Sequence, residues 1–422
     1  MKDCLEFNRM ASPHHAQSSP TPQQPTAPAG WLLLALLSAL MAFTSLSTDI
    51  YLPAMPQMQR ELQGNVELTI TGFLIGFALA QLIWGPVSDR IGRRKPLFIG
   101  VTLYVIGSVG CALSRGIEQI VFWRVFQAFG ACTGPMLARA MVRDLYARTQ
   151  AAQVLSTLTV IMAIAPIFGP LLGGQIIRLS SWHSIFWLLA SLGALMVLAL
   201  RWLPESYPAE RRSTGPRLGA LHDYRKLLSN ATFMRYTLCV TFFYVSAYAF
   251  ITGSPKVYID YFGIDAQHYG WLFAANIVGL MALSFANRQL VRRFSIDTLL
   301  RAATAVAATA MLIGFALAQT QSGGLVGIAI PIFVFFSTNG IVAASATVGA
   351  LDGVPGIAGS AAALIGSLQY GSGIASSLIL AVRSDGSPQT LAGLMALFAF
   401  AAAAMAFWPI KTRQDAVAPA TT

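Results

Sequence analysis

Apolar runs of about twenty residues recur along nearly the whole chain, and they constrain its fold more than any other feature. A helix of about 20 apolar residues crosses the hydrocarbon core of a bilayer. Of the 422 residues, 55% are hydrophobic and only 11% are charged, whereas about 25% of residues are charged in a soluble domain. Runs of this length also exclude a β-barrel, because barrel strands alternate over roughly ten residues. The sequence therefore predicts an all-α membrane protein.

Twelve of these runs predict twelve transmembrane helices in two six-helix bundles. One longer polar stretch, 204–231, is rich in turn-forming and basic residues and divides the runs into six and six. The predicted spans are 31–53, 68–88, 96–114, 118–139, 151–177, 182–203, 232–256, 268–290, 297–318, 325–348, 357–381 and 388–409.

The predicted organisation has five parts. Residues 1–30 carry too little apolar surface to fold and are expected to form a disordered cytoplasmic tail. A cleaved signal peptide is the alternative, but the run from Trp31 is too long for one and lacks a small-residue cleavage site. The other parts are a first bundle at 31–203, a cytoplasmic linker at 204–231, a second bundle at 232–410 and a cytoplasmic tail at 411–422.

Basic residues predict the orientation. The net charge is +11, and most Lys and Arg residues fall in the tail, the linker and the loops after even-numbered spans. Cytoplasmic loops carry such an excess, so we expect both termini in the cytoplasm and attribute the charge to topology, not to nucleic-acid binding. The opposite side holds only Arg60, Arg115, Arg178, Lys256 and Arg383.

The loop after span 2 is repeated in weakened form after span 8. The first reads Asp-Arg-Ile-Gly-Arg-Arg at 89–94, and the second reads Asn-Arg-Gln-Leu-Val-Arg-Arg at 287–293. Transporters with a central cavity often contain such internal repeats.

The loop after span 2 also suggests a latch. A carboxylate in this loop can pair with arginines or with a helix dipole, which would form a latch that holds the bundles together in one state. The alternative is a basic loop that only fixes topology. The latch candidates are Gly85, Asp89, Arg90, Gly92 and Arg93.

Two opposite charges lie inside apolar runs. Asp49 lies about 6 Å from the predicted outer end of span 1, and Arg124 about 9 Å from that of span 4. Ionisable residues within spans are costly and usually mark ion or substrate paths. Ser45 lies below Asp49 at helical spacing, and Gln127 follows Arg124. We expect the two charges to face one cavity and to couple protons; a purely structural ion pair is the alternative.

Span 5 contains a cluster of helix-bending and small residues: Gly169, Pro170, Gly173 and Gly174. Proline kinks a helix, and small residues let helices approach closely. The cluster is expected to form a joint that opens or seals the outer end. The alternative is the ordinary enrichment of Gly and Pro in membrane helices.

Polar residues near the middle of other spans are candidates for a substrate cavity, although each could instead satisfy the backbone of a neighbouring helix. Ser45 and Gln127, described above, belong to the same group. The cavity candidates are Ser45, Gln81, Gln127, Tyr244, Asn276, Asn339 and Gln369.

Several of these segments resemble one family. The segment 85–96 resembles the loop-2/3 motif of the major facilitator superfamily, and 122–131 resembles its span-4 motif. The segment 166–174 resembles the span-5 motif of drug:proton antiporters. The segments 49–56 and 181–187 are similar to the Bcr/CflA drug-resistance subfamily. Ala128 and Ala165 stand where these motifs more often have glycine.

The resemblance implies proton-coupled efflux of small-molecule drugs by alternating access, across a bacterial inner membrane. The alternative within this fold is a transporter of a metabolite, such as a nucleoside or an amino-acid derivative. A functional monomer driven by the proton gradient is expected, without a cofactor or metal. No His, Cys or paired-carboxylate cluster in the spans indicates an enzyme, and no GxxxxGK[ST] loop indicates a phosphate site. A passive channel stays open as an alternative.

Overall fold

A computed structural model describes residues 31–409 except 147, 209, 211–219, 353, 355, 356 and 384. The predicted tails 1–30 and 411–422 lie outside the described residues. The α-helices of the described part are α1 (Trp31–Asp49), α2 (Met55–Leu62), α3 (Glu67–Ile91), α4 (Arg94–Ala112), α5 (Ile117–Ala131), α6 (Thr133–Leu145), α7 (Arg148–Leu179), α8 (Trp182–Ala199), α9 (Ala220–Leu228), α10 (Ala231–Pro255), α11 (Ala266–Leu290), α12 (Ile296–Gln319), α13 (Gly324–Asp352), α14 (Ala358–Arg383) and α15 (Pro388–Phe407).

The predicted all-α membrane fold is confirmed, with eleven helical segments of the described residues long and apolar enough to cross a bilayer. The fourth predicted span is divided into α5 and α6. Pro135 has no N–H to donate to the Ala131 carbonyl, so the helix is interrupted one turn before it. That carbonyl instead accepts a hydrogen bond of 3.3 Å from the Thr44 hydroxyl of α1. Together α5 and α6 occupy the span.

Polar side chains define where several helices of the second half begin. The side chains of Asn230, Ser295 and Ser387 accept hydrogen bonds from backbone N–H groups three residues later. These bonds satisfy N–H groups that the first helical turn leaves without a partner. Glycine defines the C-terminal end of one helix: α3 ends at Gly92, whose φ of 91° lies in a region that favours glycine. Local side-chain and backbone features therefore fix where these helices begin and end.

The helices pack as two halves. In the first half, α3 packs on α5, α4 on α8, and α1 on α7; in the second, α10 packs on α15 and α12 on α13. The main contacts between the halves pair α7 with α11 and α3 with α14. The helix α9 lies within the predicted linker 204–231, for which the sequence indicated only turns.

The two halves are joined at one end, which we call the Asp49 end because α1 terminates there. The Thr71 hydroxyl of α3 donates to Ser377 Oγ of α14 at 2.7 Å. Ion pairs at the same end join Arg60 to Asp260 at 3.8 Å and Lys256 to Glu67 at 3.9 Å; Asn65 Nδ2 also donates to the Ala381 carbonyl at 3.0 Å. All four of these contacts between the halves lie at this end. The Asp49 end is therefore closed.

A cysteine pair at Thr71 and Ser377 tests this closure. Their hydroxyl oxygens are 2.7 Å apart, so T71C/S377C should form a disulfide on mild oxidation. Loss of thiol labelling and a rise in melting temperature of about 2 °C or more should follow. The control is T71C/S376C, because a shift of one residue rotates the side chain by about 100° around the helix. Equal disulfide formation in both pairs would contradict the closed packing.

Candidate functional site

Asp49 is buried at the C-terminal end of α1, with 5% of its surface exposed. The Thr48 hydroxyl donates to its Oδ1 at 3.0 Å. Gly169 of α7 packs against it so closely that an added Cβ would lie 3.1 Å from the Cβ of Asp49. The hydroxyls of Tyr248 and Tyr269, from the second half, are near enough to interact with its charge. Asp49 therefore lies beside the joint between the halves.

Arg124 is fully buried in the first half, on α5. Its Nη1 donates to the Ser47 carbonyl at 3.0 Å and to Gln127 Oε1 at 2.7 Å. Its Nε donates to the Thr69 carbonyl at 3.4 Å. Gln127 is also buried, and it extends the hydrogen-bond network to α4, because its Nε2 donates to Ser108 Oγ at 2.8 Å. Backbone and amide oxygens thus supply the polar contacts of this cation.

Aromatic rings complete the surroundings of Arg124. Its guanidinium carbon lies 4.3 Å from the ring centre of Tyr51 and 4.4 Å from that of Phe73. Cations are attracted to the faces of aromatic rings, more strongly when both are desolvated. Nη2 of Arg124 is buried without a hydrogen-bond partner, so the aromatic faces supply its remaining surroundings.

The side chains of Asp49 and Arg124 are directed to different surroundings. They form no ion pair among the described contacts. The reason is helical geometry: Ser47 and Tyr51 contact Arg124, and Asp49 is about 200° around the helix from Ser47. Asp49 therefore turns towards α7 while its neighbours turn towards Arg124. A role of either residue in proton coupling stays a prediction.

The span-5 motif lies where three helices meet. A Cβ on Gly173 would collide with the carbonyl of Ile50, at the end of α1. A Cβ on Gly174 would lie 2.6 Å from the carbonyl oxygen of Ala266 in α11. The helix α7 runs unbroken from Arg148 to Leu179, including Pro170. These glycines therefore let one helix touch α1 on one side and the second half on another.

The predicted latch is organised around Arg93. Its Nη1 donates to Asp89 Oδ1 and to Ser88 Oγ, both at 2.8 Å, and its Nε donates to Asp144 Oδ2 at 3.1 Å. The guanidinium also lies 4.5 Å from the ring centre of Tyr207. Burial alone would lower the pKa of Arg93, but hydrogen bonds to Asp144 and Asp89 and their charges raise it above its ordinary value. The cation is therefore firmly held.

Sequence reasoning missed two acidic partners of this loop, Asp144 and Glu205. The Glu205 carboxylate accepts from the backbone N–H groups of Arg93 at 2.8 Å and Arg94 at 3.2 Å. A carboxylate at the start of α4 also interacts favourably with the helix dipole. Each acid lies just beyond a predicted span, and that position is the signal that could have identified it.

Of the other latch candidates, Arg90 is exposed, and a Cβ on Gly85 would meet nothing within 4 Å.

Three cavity candidates are brought together in the second half. The Tyr244 hydroxyl donates to Asn339 Oδ1 at 3.4 Å and also bonds the side chain of Gln369. Asn276 is buried on α11, and Ser45 and Gln81 are half-buried on α1 and α3. The described contacts do not join these three to the group.

Residues that the sequence did not single out complete this region. Tyr370 of α14 stacks at 4.4 Å between ring centres on Phe77 of α3, across the joint. Tyr248 lies next to Tyr244, with 6.3 Å between ring centres. Aromatic residues are common in apolar spans, so no single-sequence signal separates these from packing residues. Among the described residues, no three His, Cys, Asp or Glu side chains are grouped closely enough to hold a metal ion.

The profile of the Major Facilitator Superfamily matches residues 36–377. The chain belongs to this superfamily. It is a multi-pass membrane transporter and not an enzyme. It is 37% identical over 82% of its length to the "Uncharacterized MFS-type transporter YdgK" of Bacillus subtilis (strain 168), covering 87% of that protein.

A second relative bears on the subfamily. The chain is 30% identical over 84% of its length to the "Bicyclomycin resistance protein homolog" of Haemophilus influenzae, covering 89% of that protein. This match confirms the resemblance to the Bcr/CflA type that the motifs indicated. The crystal structure of the nucleoside transporter NupG superposes with a TM-score of 0.71 at 17% identity, covering 90% of the chain and 99% of NupG. That likeness shows the major facilitator fold.

Alanine at Gly173 tests the close packing of α7 on α1. Because the added Cβ meets the Ile50 carbonyl, we expect G173A to destabilise the protein by about 1–3 kcal/mol and to lower its melting temperature by a few degrees. The matched control is G371A, at a helical glycine with nothing within 4 Å. Ordinary helix propensity should make that control neutral or stabilising. Equal melting temperatures for the two variants would contradict the packing.

Lysine at Arg93 tests the latch geometry. A lysine keeps the charge but cannot bond Asp89, Ser88 and Asp144 together, because its ammonium is a single point donor. We expect R93K to lower the melting temperature and slow transport, whereas R90K, at an exposed arginine one turn earlier, should match wild type in both. Wild-type stability and transport in R93K would show that charge alone suffices.

Proposed function

We propose that the protein exports small-molecule drugs in exchange for protons across a bacterial inner membrane, by alternating access. Two observations support the proposal. The first is the similarity to the Haemophilus relative, which is named as a bicyclomycin resistance protein homolog. The second, which carries the coupling, is a buried carboxylate at the closed joint between the halves. This is Asp49, against which Gly169 of its own half packs and whose charge lies within reach of tyrosines of the other half.

The position of Asp49 connects its proton to the movement of the halves. An ionised carboxylate without a paired cation is costly to bury, and binding a proton removes that charge. When the Asp49 end opens, the carboxylate becomes accessible to water and its charge is no longer costly. Proton binding therefore favours the closed packing, and proton release favours an end that is open. A difference of this kind between two states is what couples an ion to a conformational change.

Arg124 has a supporting part in this proposal. It holds the carbonyl of Ser47 and lies over the ring of Tyr51, one on each side of Asp49 in the chain. It thereby fixes the last turn of α1, which presents Asp49 to α7. Its permanent charge also sets the electrostatic potential of the first half. Arg124 is proposed as a positioning residue rather than as the group that carries the proton.

The direction of transport follows from the proposed orientation. The excess of basic residues in the loops indicates that the Arg93 end faces the cytoplasm. The closed Asp49 end then faces outward. In this proposal, substrate enters this state from the cytoplasm. One proton moving inward releases about 2.3 kcal/mol per 100 mV. This supply can drive export by a single chain, because both halves of the cavity come from one polypeptide.

Asparagine at Asp49 tests the coupling. Purified wild-type protein should release protons when it binds a transported drug, and D49N should release none and should fail to accumulate drug in everted vesicles. The control is D265N, at a carboxylate whose side chain is 72% exposed. Unchanged proton release and transport in D49N would overturn the role of Asp49. A panel that includes nucleosides and amino-acid derivatives distinguishes drug export from the metabolite alternative.

A further inference from the structure

We propose that this transporter binds substrates with an acidic group, such as aromatic carboxylates, through Arg139 on α6. This inference rests on the proposed export function and specifies its substrate class. Arg139 is an exposed cation on α6, which forms the second part of the fourth span. It belongs neither to the Arg124 network nor to the Arg93 latch.

Contacts place Arg139 between the halves. Its Nη2 lies 3.7 Å from the sulfur of Met162 on α7. It is also close enough to the hydroxyl of Tyr370 on α14, in the second half, to interact with it electrostatically. Tyr370 in turn stacks on Phe77 of α3. Because Arg139 contacts α7 and lies within electrostatic reach of α14, we place its side chain at the boundary between the halves.

No carboxylate neutralises Arg139 within the described residues. The ion pairs found there at 4.0 Å or less employ other cations, and the sulfur of Met162 carries no charge. Charged side chains within membrane spans normally pair or face a water-filled cavity. An exposed arginine with only a thioether and a phenol nearby is therefore available to a ligand.

Asp49 is too far away to be that partner. Gly134 of α6 packs against the carbonyl of Leu40, and from this contact the two charges lie in opposite directions. Nine residues separate Leu40 from Asp49 and five separate Gly134 from Arg139, which at 1.5 Å per residue makes about 20 Å. This distance exceeds the Debye length of about 8 Å at physiological salt. The joint between the halves thus carries separate acidic and basic ends.

The residues between these ends suit an aromatic acid. Tyr244, Tyr248 and Tyr370 offer ring faces, and Asn339 and Gln369 offer amides that bond the Tyr244 hydroxyl. An arginine guanidinium binds a carboxylate with two parallel hydrogen bonds. A planar molecule whose carboxylate meets Arg139 and whose rings meet the tyrosines would satisfy both sets of groups.

The test uses 2-naphthoic acid and its methyl ester, two probes that differ in charge and share their ring system. Binding to the purified full chain is measured by calorimetry at pH 7.5, where the acid is ionised. We expect R139Q to weaken the acid about tenfold, as loss of a charged hydrogen-bond pair does, and to leave the ester within about twofold. R139K should retain part of the affinity. R143Q, which removes an exposed charge one turn further along α6, should match wild type.

Each outcome decides between explanations. Equal weakening of acid and ester by R139Q, or an unchanged affinity for the acid, would overturn the inference. If either of these results is found while the wild type exports drugs in exchange for protons, the proposed function stands and the inference alone fails. Conversely, binding of the acid that depends on Arg139, without proton-driven export of any drug by the wild type, would refute the proposed function alone.

Discussion

The close approach of α7 to both α1 and α11 is the constraint on which the rest of the structure depends. Glycines at 173 and 174 remove the side chains that would keep these backbones apart. Close contact of α7 with α1 buries Asp49, and contact with α11 joins the two halves at the same point. A single helix therefore relates the surroundings of the carboxylate to the relative position of the halves, which is the link that ion-coupled movement requires.

Three arginines of the first half lie in different surroundings. Arg124 is buried and satisfied by carbonyls and aromatic faces, whereas Arg93 is held by two carboxylates. Arg139 is exposed and has neither kind of partner among the described residues. Removing a charge from water is costly unless it is paired or bonded. These surroundings are the basis for proposing a positioning role for Arg124, a latch role for Arg93 and a ligand-binding role for Arg139.

Much of the fold and part of the site could be predicted from local sequence. Span lengths, the division near 204–231 and the motif glycines depend on hydropathy and residue size, which act over a few neighbouring residues. The break at Cys132 was also accessible in principle, because Pro135 lacks the N–H that the helix needs. By contrast, Asp144 reaches Arg93 from α6, and Glu205 reaches it from the segment that follows α8. No spacing along one chain segment specifies such partners.

By itself, the sequence determined an all-α membrane fold, because hydrophobicity and helical period leave few other folds for such a chain. Its motifs then indicated a transporter superfamily by resemblance. It also indicated which charged residues are unusual. Only the tertiary structure decided which way those residues turn. The sequence predicts a similar depth for Asp49 and Arg124, but Asp49 faces α7 while Arg124 is enclosed by Ser47, Tyr51 and Phe73. Facing depends on how helices rotate and pack against one another, and that is settled by contacts between distant segments.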